Sequence, residues 1–466
     1  MVVSQKLKKK NGMGSITYDF LAESLFLHKD SLDNGFKNET EGRIEKELHD
    51  YRNHCIENYN ALIVEIGERD SFLKVFSSSE DTSINLLKQT ALYIDQFIIP
   101  DPLFKLTDIQ SDIANVTAKY LGYKNDGSIN RESLKNAGIY LREIKPMVAG
   151  NYIKIFPLSY HFEAPKQIPF NLPENYYNEI LPKEILDYFW QNVNVRSMEK
   201  MKSGGWQVIE DKIYPCRSIV VDFKGTNFKT NMVYHLFEME VLDFNEETGL
   251  ATFRQTLPDT PPDNDYFNAW VTQSINSASK VYFDKVFKEN FISSNLNSTY
   301  LCDNQFTSNL ITQNFNVKKS IQSETANRLL NYDLPFLENI DVEKLMTIRE
   351  LDSDVFTNFR IELEKHFREF RNLKDPDLIN QKTENVFHEL YDVQIQKIKQ
   401  KIEYINKQVA VNSFVALGGL AGSFSTGGYS LLASALALGK GYKDYANYKE
   451  KVKENPSYLL WKIRKK

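Results

Sequence analysis

Cysteine is scarce in this chain of 466 residues: there are three, Cys55, Cys216 and Cys302. None belongs to a CxxC pair, which argues against a disulfide framework or a zinc ribbon and fits a reduced, cytoplasmic compartment. Histidine is also sparse, with seven residues, and none stands at metal-ligand spacing from another His or Cys beyond a loose His49/His54/Cys55 group. No GxxxxGK[ST], GxSxG, HExxH or GxGxxG element occurs, so the common phosphate-binding, hydrolase and zinc-protease signatures are missing. The basic start "MVVSQKLKKKNGMGS" is not followed by an apolar run or a small-residue cleavage site, so it does not read as a signal peptide.

Charge is absent from one long stretch. Between Lys407 and Lys440 no Asp, Glu, Lys or Arg appears, in a chain whose charged fraction is 26%. The segment holds twelve large apolar residues between Val409 and Gly439. Leaving them in water would cost roughly 20–35 kcal/mol, more than the net stability of a typical domain, so it must be covered. Its pattern predicts two short helices, 409–423 and 429–442, joined by "FSTGG". At 1.5 Å per residue the first reaches about 22 Å and the uncharged part of the second, to Gly439, about 16 Å, too short to span a hydrocarbon core of about 30 Å singly. Gly418 and Gly422 form a GxxxG, and small residues let two helices approach closely. We therefore expect an apolar αα-hairpin over 409–442, with Leu417, Gly418, Leu420, Gly422, Leu432 and Leu436 as its contact residues. Its cover is the protein core, a protein partner or second copy, or a membrane. The tail "NPSYLLWKIRKK" combines Trp461 with four cations and suits an anionic interface.

What is present is ordinary for a globular protein, with 42% hydrophobic residues and 30 Phe and 25 Tyr to build large cores. Net charge is −5; residues 443–466 carry eight Lys/Arg against three Asp/Glu, an excess of +5 that leaves −10 for the rest. An acidic body speaks against a general nucleic-acid binder.

The length predicts several domains. Residues 1–165 read as helical and α/β: "GRIEKELHDYRNHCIENYNALIVEI" spaces Leu48, Tyr51, Cys55 and Tyr59 by three and four, and strands are expected at Phe97–Ile99 and Tyr152–Phe156. Residues 166–203, rich in Pro and Asn, read as a linker. Residues 204–330 read as β-rich ("IVVDFKGTNF", "MVYHLFEMEVLDF", "GLATFRQTL", with a hairpin turn at "NEETG") and then helical, with Asp263 or Asn264 as the cap. Residues 331–466 read as helical. Within them Tyr391, Ile395, Ile398, Ile402, Ile405 and Val409 follow alternate spacings of four and three, a heptad seam. The expected class is α+β, with an N-terminal α/β part, a central β-rich part and a helical C-terminal part.

Two carboxylate patterns point to chemistry. "SIVVDFKG" ends a strand in Asp222-x-Lys224, with Asp211 about a dozen residues earlier. This resembles the PD-(D/E)xK nuclease pattern, in which Asp211 and Asp222 would hold a divalent metal and Lys224 would position water. No Pro precedes Asp211, and no following helix offers a further Glu or Gln. "FEMEVLD" places Glu238 and Glu240 on one strand face near Asp243.

The stretches "LPDTPPDNDYFNAWVTQSIN", "NSTYLCDNQFTSNLI", "LPFLENIDVEKLMTIRELDSDVFTNFR" and "NPSYLLWKIRKK" resemble segments of uncharacterised bacterial proteins found among phage-defence and mobile-element genes. That resemblance implies a bacterial, cytoplasmic protein of antiviral-defence type and assigns no active site. The leading expectation is a non-enzymatic, partner-binding sensor or effector without a cofactor. The alternative is a metal-dependent nuclease, the one reading in which nucleic acid is a partner.

Overall fold

The computed structural model describes residues 15–67, 73–79, 82–91, 93–107, 129–162, 181–202, 206–209, 212–226, 232–245, 250–256, 258, 260–314, 341–351 and 430–432, with a few single positions between 361 and 385. Helices and strands both build it, as the α+β class requires.

The chain opens with α1 (Ile16–Glu23), α2 (Lys29–Asp33), α3 (Glu41–Glu57) and α4 (Tyr59–Gly67). Side-chain caps start the first and third: Ser15 accepts from the Tyr18 N–H, and Thr40 from the Arg43 N–H. On α3 the expected face is the buried one, with Ile44, Leu48, Tyr51 and Cys55 inside. There follow β1 (Lys74–Ser77), α5 (Ile84–Thr90), β2 (Gln96–Pro100), α6 (Arg131–Glu143), α7 (Lys145–Ala149) and β3 (Ile153–Phe156).

The stretch expected as a linker carries regular structure over 183–200: α8 (Lys183–Asn192) runs directly into β4 (Val193–Lys200). Next come β5 (Trp206–Val208), β6 (Ser218–Phe223), β7 (Met232–His235), and the ribbon of β8 (Glu238–Asn245) and β9 (Leu250–Thr256). The 32-residue helix α9 (Asn264–Asn295) starts where the sequence places its cap, with Asp263 Oδ1 accepting from the Tyr266 N–H at 2.8 Å. The described chain ends with β10 (Thr299–Cys302), α10 (Gln305–Asn314), α11 (Val342–Leu351) and β11 (Ser430–Leu432).

Five strands form the main sheet in the order β11-β10-β1-β2-β3; the last four are mutually parallel and β11 is antiparallel to β10. Alternation along the strands divides the core in two. Val75, Phe97, Ile99, Ile153, Ile155 and Leu301 face a cluster made with α1, α3, α5, α6 and α7. Phe76, Ile98, Phe156, Tyr300 and Cys302 face a second cluster made with α8, α9 and α10. Both faces are covered, as a parallel sheet requires. The second cluster also takes Ile219, Val221 and Phe223 of β6, which belongs to a separate antiparallel sheet ordered β5-β4-β6-β7. Through β10, the parallel sheet reaches across the 166–203 stretch. All three cysteines are buried and free.

The apolar segment is described at three residues only. Ser430–Leu432, expected to begin the second helix of the hairpin, is strand β11, paired with Cys302 to Tyr300 of β10. A sheet edge offers unpaired backbone groups, and pairing there outweighs a local helical pattern. Leu417, Gly418, Leu420, Gly422 and Leu436 lie outside the described residues, as does the heptad seam 391–409. Among the described residues no helix is long and apolar enough to cross a membrane.

Candidate functional site

The carboxylates singled out in the sequence lie on the antiparallel sheets. Asp222 sits on β6 and is engaged by Arg196 of β4, with Nη2 at 2.5 Å from Oδ2. The two are diagonal neighbours on one sheet face, since Asp222 pairs with Asn194 and Arg196 with Val220. Lys224 follows the end of β6 and is exposed; Asp211 lies outside the described residues. Glu238, Glu240 and Asp243 are exposed on β8, and Glu240 stands 3.4 Å from Arg254 across the ribbon. Among the described residues no group of three or more His, Cys, Asp or Glu side chains is placed to hold a metal ion.

Topology points to a different place. After β1 the chain turns to α5 on one face of the sheet; after β10, the parallel neighbour of β1, it turns to α10 on the other. Where adjacent parallel strands send their connections to opposite faces, a crevice opens at their carboxyl ends, and ligands of open α/β sheets bind there. In this chain the topology puts that position between Ser77-Ser78-Ser79 after β1 and Asp303-Asn304 after β10.

The β1 loop is held by its own hydroxyls. Ser77 Oγ accepts from the Ser79 N–H at 3.1 Å, Thr82 Oγ1 donates to the Ser79 carbonyl at 3.1 Å, and Ser83 caps α5. On the other side Asn304 caps α10, its Oδ1 accepting from the Thr307 N–H at 2.8 Å, while its amide donates to Asp303 at 2.9 Å. These bonds leave Ser78 as the half-exposed side chain between the two loops.

Beneath Ser78 lies a buried acid. Tyr300 of β10 reaches along the sheet from its position beside Phe76, and its hydroxyl comes within 3.4 Å of Ser78 Oγ. The same hydroxyl donates to Oε2 of Glu289 at 2.6 Å. Glu289 comes from α9 and is 2% exposed. Its other oxygen, Oε1, receives no hydrogen bond, and the Lys285 ammonium stands 3.8 Å away. Burial raises the Glu289 carboxyl above its usual range, against the pull of Lys285 and of the Tyr300 and Ser78 hydroxyls. Burial and the adjacent carboxylate raise the Tyr300 phenol as well. The arrangement can hold a proton on a carboxylic acid or accept a hydrogen bond from a guest, one hydroxyl below the surface.

The neighbouring carboxyl ends are closed by internal contacts. At β2, Asp101 caps the turn over Phe104–Thr107: Oδ1 accepts from the Leu103 and Phe104 N–H groups, each at 2.9 Å, and Oδ2 meets the Tyr51 hydroxyl. At β3, the turn Leu158–Phe162 brings His161 Nε2 to 2.5 Å from the Tyr59 hydroxyl. Burial, helped by the nearby Lys288, lowers the His161 imidazolium pKa.

None of the crevice residues has a local sequence signature. "FSSSEDTS" contains no Gly to mark a cradle, and Glu289 is one polar residue among many on a long helix. No protein-family model, no curated protein and no solved structure matches this chain.

Proposed function

We propose that this chain is a non-enzymatic sensor of a bacterial defence-type system, cytoplasmic and composed of several domains. A small molecule enters the crevice at the carboxyl ends of β1 and β10. The apolar C-terminal segment 409–442, with the heptad seam before it, is the output surface and meets a second copy of the chain. One observation carries the reading: β10 is shared. On one side it pairs with β1 and forms the crevice; on the other it pairs with β11, which belongs to the apolar segment. A change at the crevice is thereby one strand away from the segment that must be covered.

Light scattering of the full chain tests the output surface. Wild type should self-associate at micromolar concentration, and Leu417→Asp/Leu420→Asp should be monomeric with unchanged circular dichroism and Tm. A wild type that stays monomeric overturns the reading. So does a self-associating wild type whose aspartate variant associates equally well. Co-sedimentation of the monomeric chain with phosphatidylserine vesicles would assign the segment to a lipid surface instead.

A further inference from the structure

The ribbon β8-β9 stands apart from both larger sheets: among the described residues no third strand pairs with either of its edges. A two-stranded ribbon is marginal alone in water, and an open edge invites another strand. On β8 three consecutive places of apolar surface are also left out, with Val241, Leu242 and Phe244 exposed at 47%, 49% and 52%. We propose that the basic tail of this same chain, Leu460–Arg464, adds to the outer edge of β8 as an antiparallel third strand.

The faces of β8 define what fits. Glu238, Glu240 and Asp243 pair with Thr256, Arg254 and Thr252, alternate residues of β9, so the three acids share one face. Val241 and Phe244 pair with Phe253 and Ala251 and share the other, while the bulge between Val241 and Asp243 takes up Leu242. A matching strand therefore alternates cations with large apolar residues. The tail "LLWKIRKK" does so: Lys462 and Arg464 fall on one side of an extended chain, Trp461 and Ile463 on the other. Antiparallel pairing with Lys462 opposite Glu240 sets Arg464 opposite Glu238 and Trp461 opposite Val241, with like chemistry on each face. The parallel alternative that pairs Lys462 with Glu238 and Arg464 with Glu240 puts Lys465 against Val241 instead.

Charge and reach agree with that pairing. Residues 238–256 hold five acids against Arg254, a charge of −4, and residues 459–466 hold four cations and no acid. Arg254 lies on β9, so the β9 edge is the less favourable for a basic strand. The described chain last appears at Leu432, and the 28 residues 433–460 extend to at most about 90 Å, whereas a compact chain of this length has a radius of gyration of about 23 Å. The main-chain ladder supplies the attachment, and the alternate side chains set the register. The docking is independent of the crevice and of self-association through 409–442.

Two measurements on the full chain test it. Mild oxidation of Glu240→Cys/Lys462→Cys should give a disulfide within one chain, because directly opposed residues lie within bridging distance. Glu184→Cys/Lys462→Cys, with its first cysteine on exposed α8, should link at least about 10-fold more slowly. Linkage at equal rates in the two, or linkage between chains only, overturns the proposal. Limited chymotrypsin should release the tail slowly from wild type. Glu238→Lys/Glu240→Lys and Lys462→Glu/Arg464→Glu should each speed release by about 10-fold, the scale of two exposed ion pairs. The combined fourfold variant, in which the charges are exchanged, should return to the slow rate. Equal release in wild type and both reversals, or no recovery in the exchanged variant, overturns the proposal.

Discussion

Lys154 on β3 and Glu65 on α4 form a buried ion pair, with side-chain exposures of 7% and 17%. Glu65 has a second duty: its Oε2 accepts from the Ile16 N–H at 2.9 Å, the first N–H of α1, which has no partner within its helix. One carboxylate thus ties α1, α4 and β3 together. Lys154→Met removes the cation and leaves the carboxylate held by a single N–H. Breaking one partner of a buried pair costs about 3–5 kcal/mol, because the remaining charge keeps its desolvation penalty. Glu65→Gln retains an acceptor for Ile16 but strands the Lys154 ammonium, so a loss of similar size is expected. The double variant has no stranded charge and should lose much less than the sum. A double-mutant cycle by urea unfolding, followed by Trp fluorescence, should return a coupling of about 2 kcal/mol or more. Additive losses, with coupling under about 0.5 kcal/mol, would mean that the two groups do not share a buried environment, and the packing of α4 on β3 would be wrong.

Three further outcomes follow from single positions. A Cβ at Gly138 on α6 would lie 2.5 Å from both Leu32 Cδ2 and the Phe26 carbonyl oxygen. Gly138→Ala should therefore lower stability by about 2 kcal/mol despite the better helix propensity of Ala, and a neutral thermal melt would refute the close approach of α6. Asp263→Ala removes the cap of α9 and should cost about 1 kcal/mol, read as a fall in urea midpoint at constant slope. Glu289 has a folded pKa raised above its unfolded value, so the folded state holds its proton to higher pH. Wild type should gain stability relative to Glu289→Gln as pH falls from neutral through the folded pKa toward the unfolded one; parallel stability curves for the two proteins would contradict the burial of that acid.

Local chemistry carried much of the element list. Asp263 after a proline run, the alternation of Tyr152 to Phe156, and the spacing of Leu48, Tyr51 and Cys55 are signals that neighbours in the chain supply, and each element stands where those signals place it. Strands β1 and β10 escaped because four residues each, "KVFS" and "TYLC", are too short to show a period. Helix α8 and strand β4 escaped because Pro and Asn around them read as a linker.

The sequence alone determined the material of this protein: α+β composition, the cap at Asp263, an acidic body, and an uncharged apolar segment. Tertiary structure alone decided where chemistry is placed. Ser78, Glu289 and Tyr300 are separated by more than two hundred residues at their widest, and only the parallel pairing of β1 with β10 brings them together. Antiparallel pairing with the other edge of β10 decided that Ser430–Leu432 is a strand. Residue periodicity reports on one face of one element, whereas a crevice between strands depends on which strands are neighbours, and that is settled by burial of the whole sheet.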